Sequence, residues 1–245
     1  MSVKSFILFI LAITPLVLWG QTNGRIEFGY QNAYNYAPTF TGIANRYNTS
    51  RPWLESQMKL PDWHHGIQIG VYTEPNKFSI GFALTYQWYT GKASGTDALG
   101  EAFERKLRSH FLVIEAFDFS YNILKNDHFR FGIGIIPLSF SRSRVSTKRN
   151  DEDWKYATHV SLGSNAKKAH WFAGIKLQAH FGANITPATL LKFTFFYHLN
   201  YAGSMNLYRV DQGLNPQSVD AYYGGHLFTK PSYFGMRLSF NIITD

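Results

Sequence analysis

The residues that could do chemistry are ionisable side chains set among small polar residues, in segments where polar and apolar positions alternate. They are Glu27, Glu115, Arg130, Lys176, Lys192, His198 and Arg237. Because their neighbours on the same face are mostly small, these faces are predicted to enclose a narrow lumen. Charges in such a low-dielectric space must pair or hydrate. We therefore expect a lumen polar network of ion pairs. The alternative is a narrow channel, gated when a pair breaks.

His198 is the candidate for hydrolytic chemistry. The stretch around it reads Phe-Tyr-His-Leu-Asn-Tyr-Ala-Gly, followed by Asp211 and Gly213. This stretch resembles the last-hairpin motif of the eight-stranded lipid A deacylases, which carry His-x-Ser-Asn and a downstream glycine and acidic residue. Asn200 stands where that family has its nucleophilic serine, and an amide cannot attack an ester. The sequence therefore predicts no catalytic residue, with a lipid A-modifying enzyme as the alternative.

The adjacent residues His64 and His65, beside Asp62, are metal-ligating residue types. Neighbouring residues of a strand point to opposite faces, so both imidazoles cannot bind one ion from a regular strand. We expect neither a metal nor another cofactor.

Basic residues are concentrated around one predicted outer loop. They are Arg142, Arg144, Lys148, Arg149, Lys167 and Lys168. They are candidates for contact with lipopolysaccharide phosphates, although acidic residues 151–153 lie between them and a merely solvated loop is the alternative. The net charge of +8 does not indicate nucleic acid, because the basic residues are scattered and not gathered on one helix.

Eight segments with a two-residue period must position these side chains. Their ranges are 25–31, 63–72, 78–88, 107–121, 128–140, 171–182, 191–201 and 233–243. In the third segment, six apolar residues from Phe78 to Trp88 alternate with Ser, Gly, Ala, Thr and Gln. This pattern predicts strands with an apolar face toward lipid and a polar face toward a lumen. A soluble lipocalin-type barrel is the rival fold, but its outer face would carry more charge.

The lengths of the connections between these segments support this prediction. Short segments 73–77, 122–127 and 184–190 carry turn residues and alternate with longer ones at 32–62, 90–106, 141–170 and 202–232. Such alternation is typical of bacterial outer-membrane barrels.

Two strands are predicted to be irregular. Glu115 falls on the apolar row of its segment, so we predict a β-bulge near Ala116 that returns Glu115 to the interior. Pro137 predicts a change of register in the next strand.

Composition supports export and membrane insertion. Charged residues are 16% and aromatic residues 17% of the 245 residues, a balance suited to a surface that meets lipid. Residues 1–20 have a basic start at Lys4 and an apolar stretch, which predicts a signal peptide, with residues 21–245 forming the barrel. The absence of cysteine excludes a disulfide scaffold and an acylated lipoprotein.

Taken together, the alternating strands and loops predict an all-β, eight-stranded, antiparallel up-and-down transmembrane β-barrel in the outer membrane of a Gram-negative bacterium. This architecture resembles the small outer-membrane barrel superfamily that includes the OmpA-type barrel, OmpX and the PorT-like barrels of Bacteroidota. The resemblance implies a structural or interaction role, with lipid, lipopolysaccharide and an outer-membrane protein as partners. An accessory subunit of a secretion or assembly complex is one form of that role.

Overall fold

The computed structural model describes residues 24–36, 38–59, 63–97, 99–156, 170–203, 205–206, 214, 228–229 and 232–244. The predicted signal peptide lies outside these ranges, as do Asp62, Lys167, Lys168 and the Asp211–Gly213 segment. The long strands are β1 (Gly24–Tyr36), β3 (Trp63–Thr73), β4 (Phe78–Thr96), β5 (Ala102–Lys125), β6 (Phe129–Arg149), β8 (His170–Thr186), β9 (Thr189–Ala202) and β12 (Ser232–Thr244). Shorter elements are the helix α1 (Pro38–Thr49) and the strands β2 (Leu54–Ser56), β7 (Lys155–Tyr156), β10 (Met205–Asn206) and β11 (Phe228–Thr229).

The eight long strands form a closed ring. Each long strand pairs antiparallel with the next long strand along the chain, and β12 pairs with β1 from Gly24↔Thr244 to Tyr36↔Ser232. A closed ring leaves no edge, so the backbone groups of every strand find partners on both sides. The predicted eight-stranded up-and-down barrel is therefore confirmed.

The outer surface of this ring is an apolar belt. On β12 the side chains of Phe234, Met236, Leu238, Phe240 and Ile242 are 41–51% exposed. The intervening Arg237, Ser239 and Asn241 are at most 1% exposed. A belt of this size around a whole barrel far exceeds the apolar patches that water-soluble proteins expose. Because hydrocarbon is the solvent that suits such a belt, the chain is an integral outer-membrane barrel.

Among the described residues, no helix is long and apolar enough to cross a membrane.

The predicted bulge in β5 is present. Gly81 is opposite Asp118 and Ala83 is opposite Glu115, so Ala116 and Phe117 together face the single residue Phe82. Phe117 takes a positive φ of 58°, as a bulged residue in the left-handed region does. The bulge turns Glu115 inward, where it is 1% exposed. In β6 the register with β8 shifts between Ile136 and Ser139, which confirms the change predicted at Pro137.

Several strands are longer than predicted, which corrects the assignment of three outer loops. β1 continues to Tyr36, into the predicted loop 32–62. β4 continues to Thr96 and β5 begins at Ala102, so the predicted long loop 90–106 is a hairpin with residues 97–101 as its connection. β6 continues to Arg149, and Arg142 and Arg144 therefore lie on a strand and not in a loop. Beyond the bilayer neither face meets hydrocarbon, so the alternating pattern fades while the hydrogen-bond ladder continues.

The short turns, residues 74–77, 126–128 and 187–188, lie at one end of the barrel, which we assign to the periplasm. The opposite end, the outer mouth, is filled by α1. Ile43, Ala44 and Tyr47 lie on one helix face and are at most 2% exposed. They form one apolar cluster with wall residues of the extended strands and with neighbouring residues, namely Ala93, Leu107, Val145, Phe172, Met58 and Leu214.

The segment after α1 is fastened to the helix. The Asn48 side-chain amide donates to the Met58 carbonyl at 3.1 Å, and its oxygen accepts from the Met58 backbone N–H at 2.8 Å. Each large apolar side chain buried in this cluster contributes about 1.5–3 kcal/mol. We refer to α1 and the segment fastened to it as the outer plug.

The apolar belt predicts that a charged substitution lowers the free energy of unfolding more near the middle of the membrane than near its edge. Phe195, near the middle of β9, is 57% exposed, and Ile185, near a periplasmic turn, is 59% exposed. Phe195→Arg is expected to lower the free energy of unfolding in phospholipid vesicles by about 2–4 kcal/mol, and Ile185→Arg by about 0–1 kcal/mol. Denaturant titration of the vesicle-inserted protein measures both. Equal costs at the two positions would contradict the assignment of the belt.

Candidate functional site

The barrel interior holds the lumen residues singled out in the sequence. Glu27, Glu115, Lys176, Lys192, His198 and Arg237 are each at most 5% exposed. Arg130 lies near the periplasmic turns and is partly exposed. The carboxylates lie at successive levels, each with its own basic partners, so the interior divides into separate ion-pair clusters.

Glu27 is the centre of one cluster. Its Oε2 forms an ion pair with the Lys192 Nζ, and its Oε1 lies 3.3 Å from the Arg237 Nε. The Arg237 side chain runs across Gly29, where an added Cβ would come within 3.0 Å of it. Both cations lie against the buried carboxylate and pair its charge, as a low-dielectric interior requires, while the Arg237 nitrogens have no hydrogen-bond partner among the described residues.

Glu115 is the centre of the next cluster toward the outer mouth. The Lys176 Nζ lies 2.6 Å from Glu115 Oε1, and the Gln68 amide donates to Glu115 Oε2 at 3.3 Å. Lys176 Nζ also lies 4.4 Å from the centre of the Phe196 ring, where cation–π attraction adds to the ion pair. Asp118, which lies on the inward face just beyond the bulge, accepts from the Gln178 amide at 2.7 Å.

A third cluster closes the periplasmic end around Glu74. Its carboxylate accepts from Arg25 at 2.8 Å and from Arg130 at 2.8 Å, and Lys125 lies 3.0 Å away. Burial alone would raise the pKa of Glu74, but the positive charges of Arg25, Arg130 and Lys125 outweigh it and lower the pKa. Glu74 lies in the turn after β3, and nothing in the sequence distinguished it from an ordinary polar turn residue.

Tyr72 fills the space between the clusters. Its side chain is 2% exposed, and an added Cβ at Gly70 or Gly81 would lie 2.6 Å or 2.0 Å from its ring. The Arg25 guanidinium lies 5.0 Å from the ring centre. Sequence reasoning missed Tyr72, Arg25 and Asp118, although the alternation already put each of them on the inward face of its strand.

His198 lies beside Lys176 in the register of β8 and β9. Its Nε2 is 2.5 Å from the Ser139 Oγ, and its ring centre is 4.4 Å from that of Tyr233. Nδ1 has no hydrogen-bond partner among the described residues, and Asp211, the acidic residue of the deacylase-like stretch, lies outside those residues. Since His198 is 0% exposed and faces the lumen, acyl chains outside the wall cannot reach it.

No set of three or more His, Cys, Asp or Glu residues in the described ranges is placed to hold a metal ion. His64 is buried on the inner face of β3, while His65 is exposed and bonded to the Tyr30 hydroxyl at 2.6 Å.

The outer mouth carries a second candidate site, which we call the tip pocket. It is an opening of about 220 Å³ between the outer plug and the extended strands. Its lining residues are Tyr47, Arg51, Trp53, Asp97, Phe103, Arg105, Arg149 and Leu214. Trp53 and Phe103 meet edge to face with ring centres 5.2 Å apart.

Three arginines give the tip pocket its charge. The Arg51 guanidinium lies 4.2 Å from the centre of the Tyr47 ring and donates to the Leu214 carbonyl at 2.9 Å. Arg149 lies 5.4 Å from the centre of the Phe103 ring, and Arg105 is its neighbour across β5 and β6. Burial lowers the pKa of Arg105 and raises the pKa of Tyr47. Arginines held on aromatic rings are suited to bind carboxylates or phosphates.

The comparisons with known proteins identify similar shapes only. No protein-family model matches the sequence, and no curated protein is significantly similar to it. Neisserial surface protein A is 9% identical, with 91% of this chain and 99% of that chain aligned at a TM-score of 0.44. Ail of Yersinia pestis is 7% identical, with 91% and 99% aligned at 0.38. The N-terminal β-barrel domain of Pseudomonas aeruginosa OprF is 10% identical, with 89% and 97% aligned at 0.34. At these scores the similarities are weak, and the fold assignment rests on the closed sheet of the chain itself.

The Glu27 cluster makes a strong prediction for stability. Glu27→Gln leaves the Lys192 and Arg237 cations buried without their carboxylate, so the free energy of unfolding is expected to fall by about 3–5 kcal/mol. The matched change Glu101→Gln, at an exposed residue of the β4–β5 connection, is expected to cost less than about 0.5 kcal/mol. Denaturant titration in micelles compares the two. A loss for Glu27→Gln as small as that of the control would contradict the pairing.

The Glu74 cluster predicts that the stability of the protein depends on pH in the acidic range. A carboxyl group whose pKa is lowered by folding stabilises the fold above its ordinary pKa of 4.5, and this contribution is lost as the pH falls through the lower folded value. The free energy of unfolding of the wild type should therefore drop below pH 4.5 more steeply than that of Glu74→Gln. Thermal unfolding across this range measures the slopes, with Glu101→Gln as the control. Identical slopes in all three proteins would show that Glu74 contributes nothing.

Proposed function

We propose that this protein is a non-conducting outer-membrane barrel with an interaction role, and that the tip pocket is where it binds a partner. The observation that carries the proposal is the outer plug. Its apolar cluster fills the mouth of the barrel, and the Glu27, Glu115 and Glu74 clusters occupy the lumen below it. Because the lumen is filled, the barrel provides a surface for binding at the outer face of the membrane and no pathway for ions or solutes.

The composition of the tip pocket supports binding of a protein. Tryptophan, tyrosine and arginine are the residues most often responsible for binding energy at protein interfaces. Trp53 is 37% exposed, and the exposed Arg149 nearby presents a planar guanidinium whose donors match a carboxylate in pairs. The rings that contact Arg51 and Arg149 hold these long side chains in place, which reduces the entropy lost on binding.

The partner that fits this chemistry is an acidic segment of another outer-membrane protein. In this proposal the chain is an accessory subunit, and its barrel holds the tip pocket at a fixed height above the membrane. The rigid β4–β5 hairpin and the helix packed in the mouth reduce the motion that a loop-borne site would have. A partner assembled in a secretion or assembly complex is consistent with such a fixed binding surface.

The test compares the wild type with a variant that carries both Trp53→Ala and Arg149→Gln. Full-length protein is cross-linked in outer membranes, solubilised in detergent and recovered, and its cross-linked partner is quantified. Loss of two strong interface residues is expected to reduce the partner at least about 30-fold. When salt is added before cross-linking, recovery of the wild-type complex should also fall, because the contact is between opposite charges.

The matched control carries Lys59→Gln and Leu99→Ala, which remove one charge and one apolar group at exposed residues outside the tip pocket. This control should retain the partner. Equal recovery with all three proteins, or recovery of no specific partner with the wild type, would overturn the proposal.

A further inference from the structure

A second basic pocket lies on the outside of the barrel wall, separate from the tip pocket. We call it the rim pocket. It has a volume of about 330 Å³ and lies over β4, β5 and β6. Its lining residues are Tyr86, Arg108, His110, Leu112, Arg142, Arg144, Ser146 and Trp154.

The height of the rim pocket follows from the strand register. On β6 the outward-facing residues change from Phe140 to Arg142 and then Arg144, toward the outer mouth. On β5 the same change runs from Ile114 and Leu112 to His110 and Arg108. These residues are direct neighbours, since Ile114 pairs with Phe140, Leu112 with Arg142 and His110 with Arg144. The apolar belt therefore ends at Phe140 on β6 and one outward step higher, at Leu112, on β5, and basic residues begin immediately above it on both strands.

The spacing of these residues can be converted to depth. Successive outward residues on a strand are two positions apart, or about 7 Å, and a strand tilted by about 45° rises about 5 Å along the membrane normal over that length. Arg142 therefore lies about 5 Å and Arg144 about 10 Å above Phe140. The polar headgroup layer occupies about 5–8 Å on each side of the hydrocarbon core. Arg142 therefore lies within the headgroup layer, and Arg144 lies at its outer side.

Aromatic and imidazole groups shape the pocket around these cations. The Arg108 guanidinium lies 4.2 Å from the centre of the Trp154 ring. The Tyr86 hydroxyl is hydrogen-bonded to His110 Nδ1, and the two rings stack with centres 5.6 Å apart. Tyr86 and Trp154 present the amphipathic rings that prefer the membrane–water interface, while the guanidinium groups present forked donors that match phosphate oxygens.

We propose that the rim pocket binds a phosphate group of lipopolysaccharide in the outer leaflet. The pocket is on the side of the barrel that carries the outer mouth, it faces the lipid and not the lumen, and its cations begin where the belt ends. A phosphate on an acyl-chain-bearing headgroup meets all three conditions at once. Its chains lie along the partly exposed Phe140 and Leu112, and its phosphate reaches Arg142 and Arg144. Arg108 lies one step higher, at the level of phosphates farther out on the glycolipid.

This inference is independent of the tip pocket. The two pockets share no lining residue, and the rim pocket needs no protein partner. A barrel that failed to bind a protein could still bind lipid here, and the reverse also holds.

The test uses the full-length protein in phosphatidylcholine nanodiscs that contain bisphosphorylated lipid A. After exchange into detergent, the lipid A retained per protein is measured by mass spectrometry. A variant with Arg142→Gln and Arg144→Gln is expected to retain at least about tenfold less than the wild type, because two charge-assisted phosphate contacts are removed. Arg142→Lys with Arg144→Lys keeps the charge without the forked donors and should give an intermediate value.

The matched control, Lys59→Gln with Lys77→Gln, removes the same charge at exposed residues away from the pocket and should bind as the wild type does. Dephosphorylated lipid A should not be retained, and millimolar inorganic phosphate should not displace lipid A. Full retention by the glutamine variant, or equal retention of the dephosphorylated lipid, would overturn the proposal. Displacement by inorganic phosphate would also overturn it, since the site would then take a free ion. If the glutamine variant does not fold, the dephosphorylated lipid and inorganic phosphate on the wild type still decide the outcome.

Discussion

Closure of the sheet is the constraint on which the rest of this structure depends. Hydrocarbon offers no hydrogen-bond partner to a free strand edge, so a sheet that spans the membrane must close. With eight strands, the space inside is only as wide as the side chains that fill it. The pairing of β1 with β12 therefore closes the ring. Closure also brings inward side chains such as Tyr72 and Arg237 close to side chains from other strands across the lumen. Charges in that lumen must be balanced within a few ångströms.

Because the lumen is filled, we propose that the functional sites lie on the outer surfaces of the barrel. The Glu27 and Glu115 clusters make the lumen a stabilising core. Removing one partner of a buried ion pair there lowers the free energy of unfolding more than removing an exposed charge does. The extension of β4, β5 and β6 above the bilayer creates two surfaces that a minimal barrel would not have. One is the mouth, where α1 and the wall form the tip pocket. The other is the outside of the same strands, where the rim pocket begins as the belt ends.

Sequence alone predicted the parts of the structure that the lipid boundary controls. Where one face of a strand meets hydrocarbon, the two-residue period is strict, and even the bulge that returns Glu115 inward followed from one misplaced charge. Prediction failed above the membrane. Residues 90–96 continue a strand with polar residues on one face and only glycine and alanine on the other, so no apolar periodicity marked it. α1 is too short for its apolar face to stand out in a loop. The partners of Glu74 could not be predicted either, since they come from β1, β5 and β6, far apart in sequence.

The central claim is that the lumen is filled and its mouth occupied, so that the barrel does not conduct. Recording from planar lipid bilayers into which the refolded full-length protein has been inserted tests it directly. The account predicts a flat current at moderate voltages after insertion has been verified by protease protection of the barrel. Discrete, repeatable ion steps from the wild-type protein would show an open path past Glu27 and the outer plug, and would contradict the account.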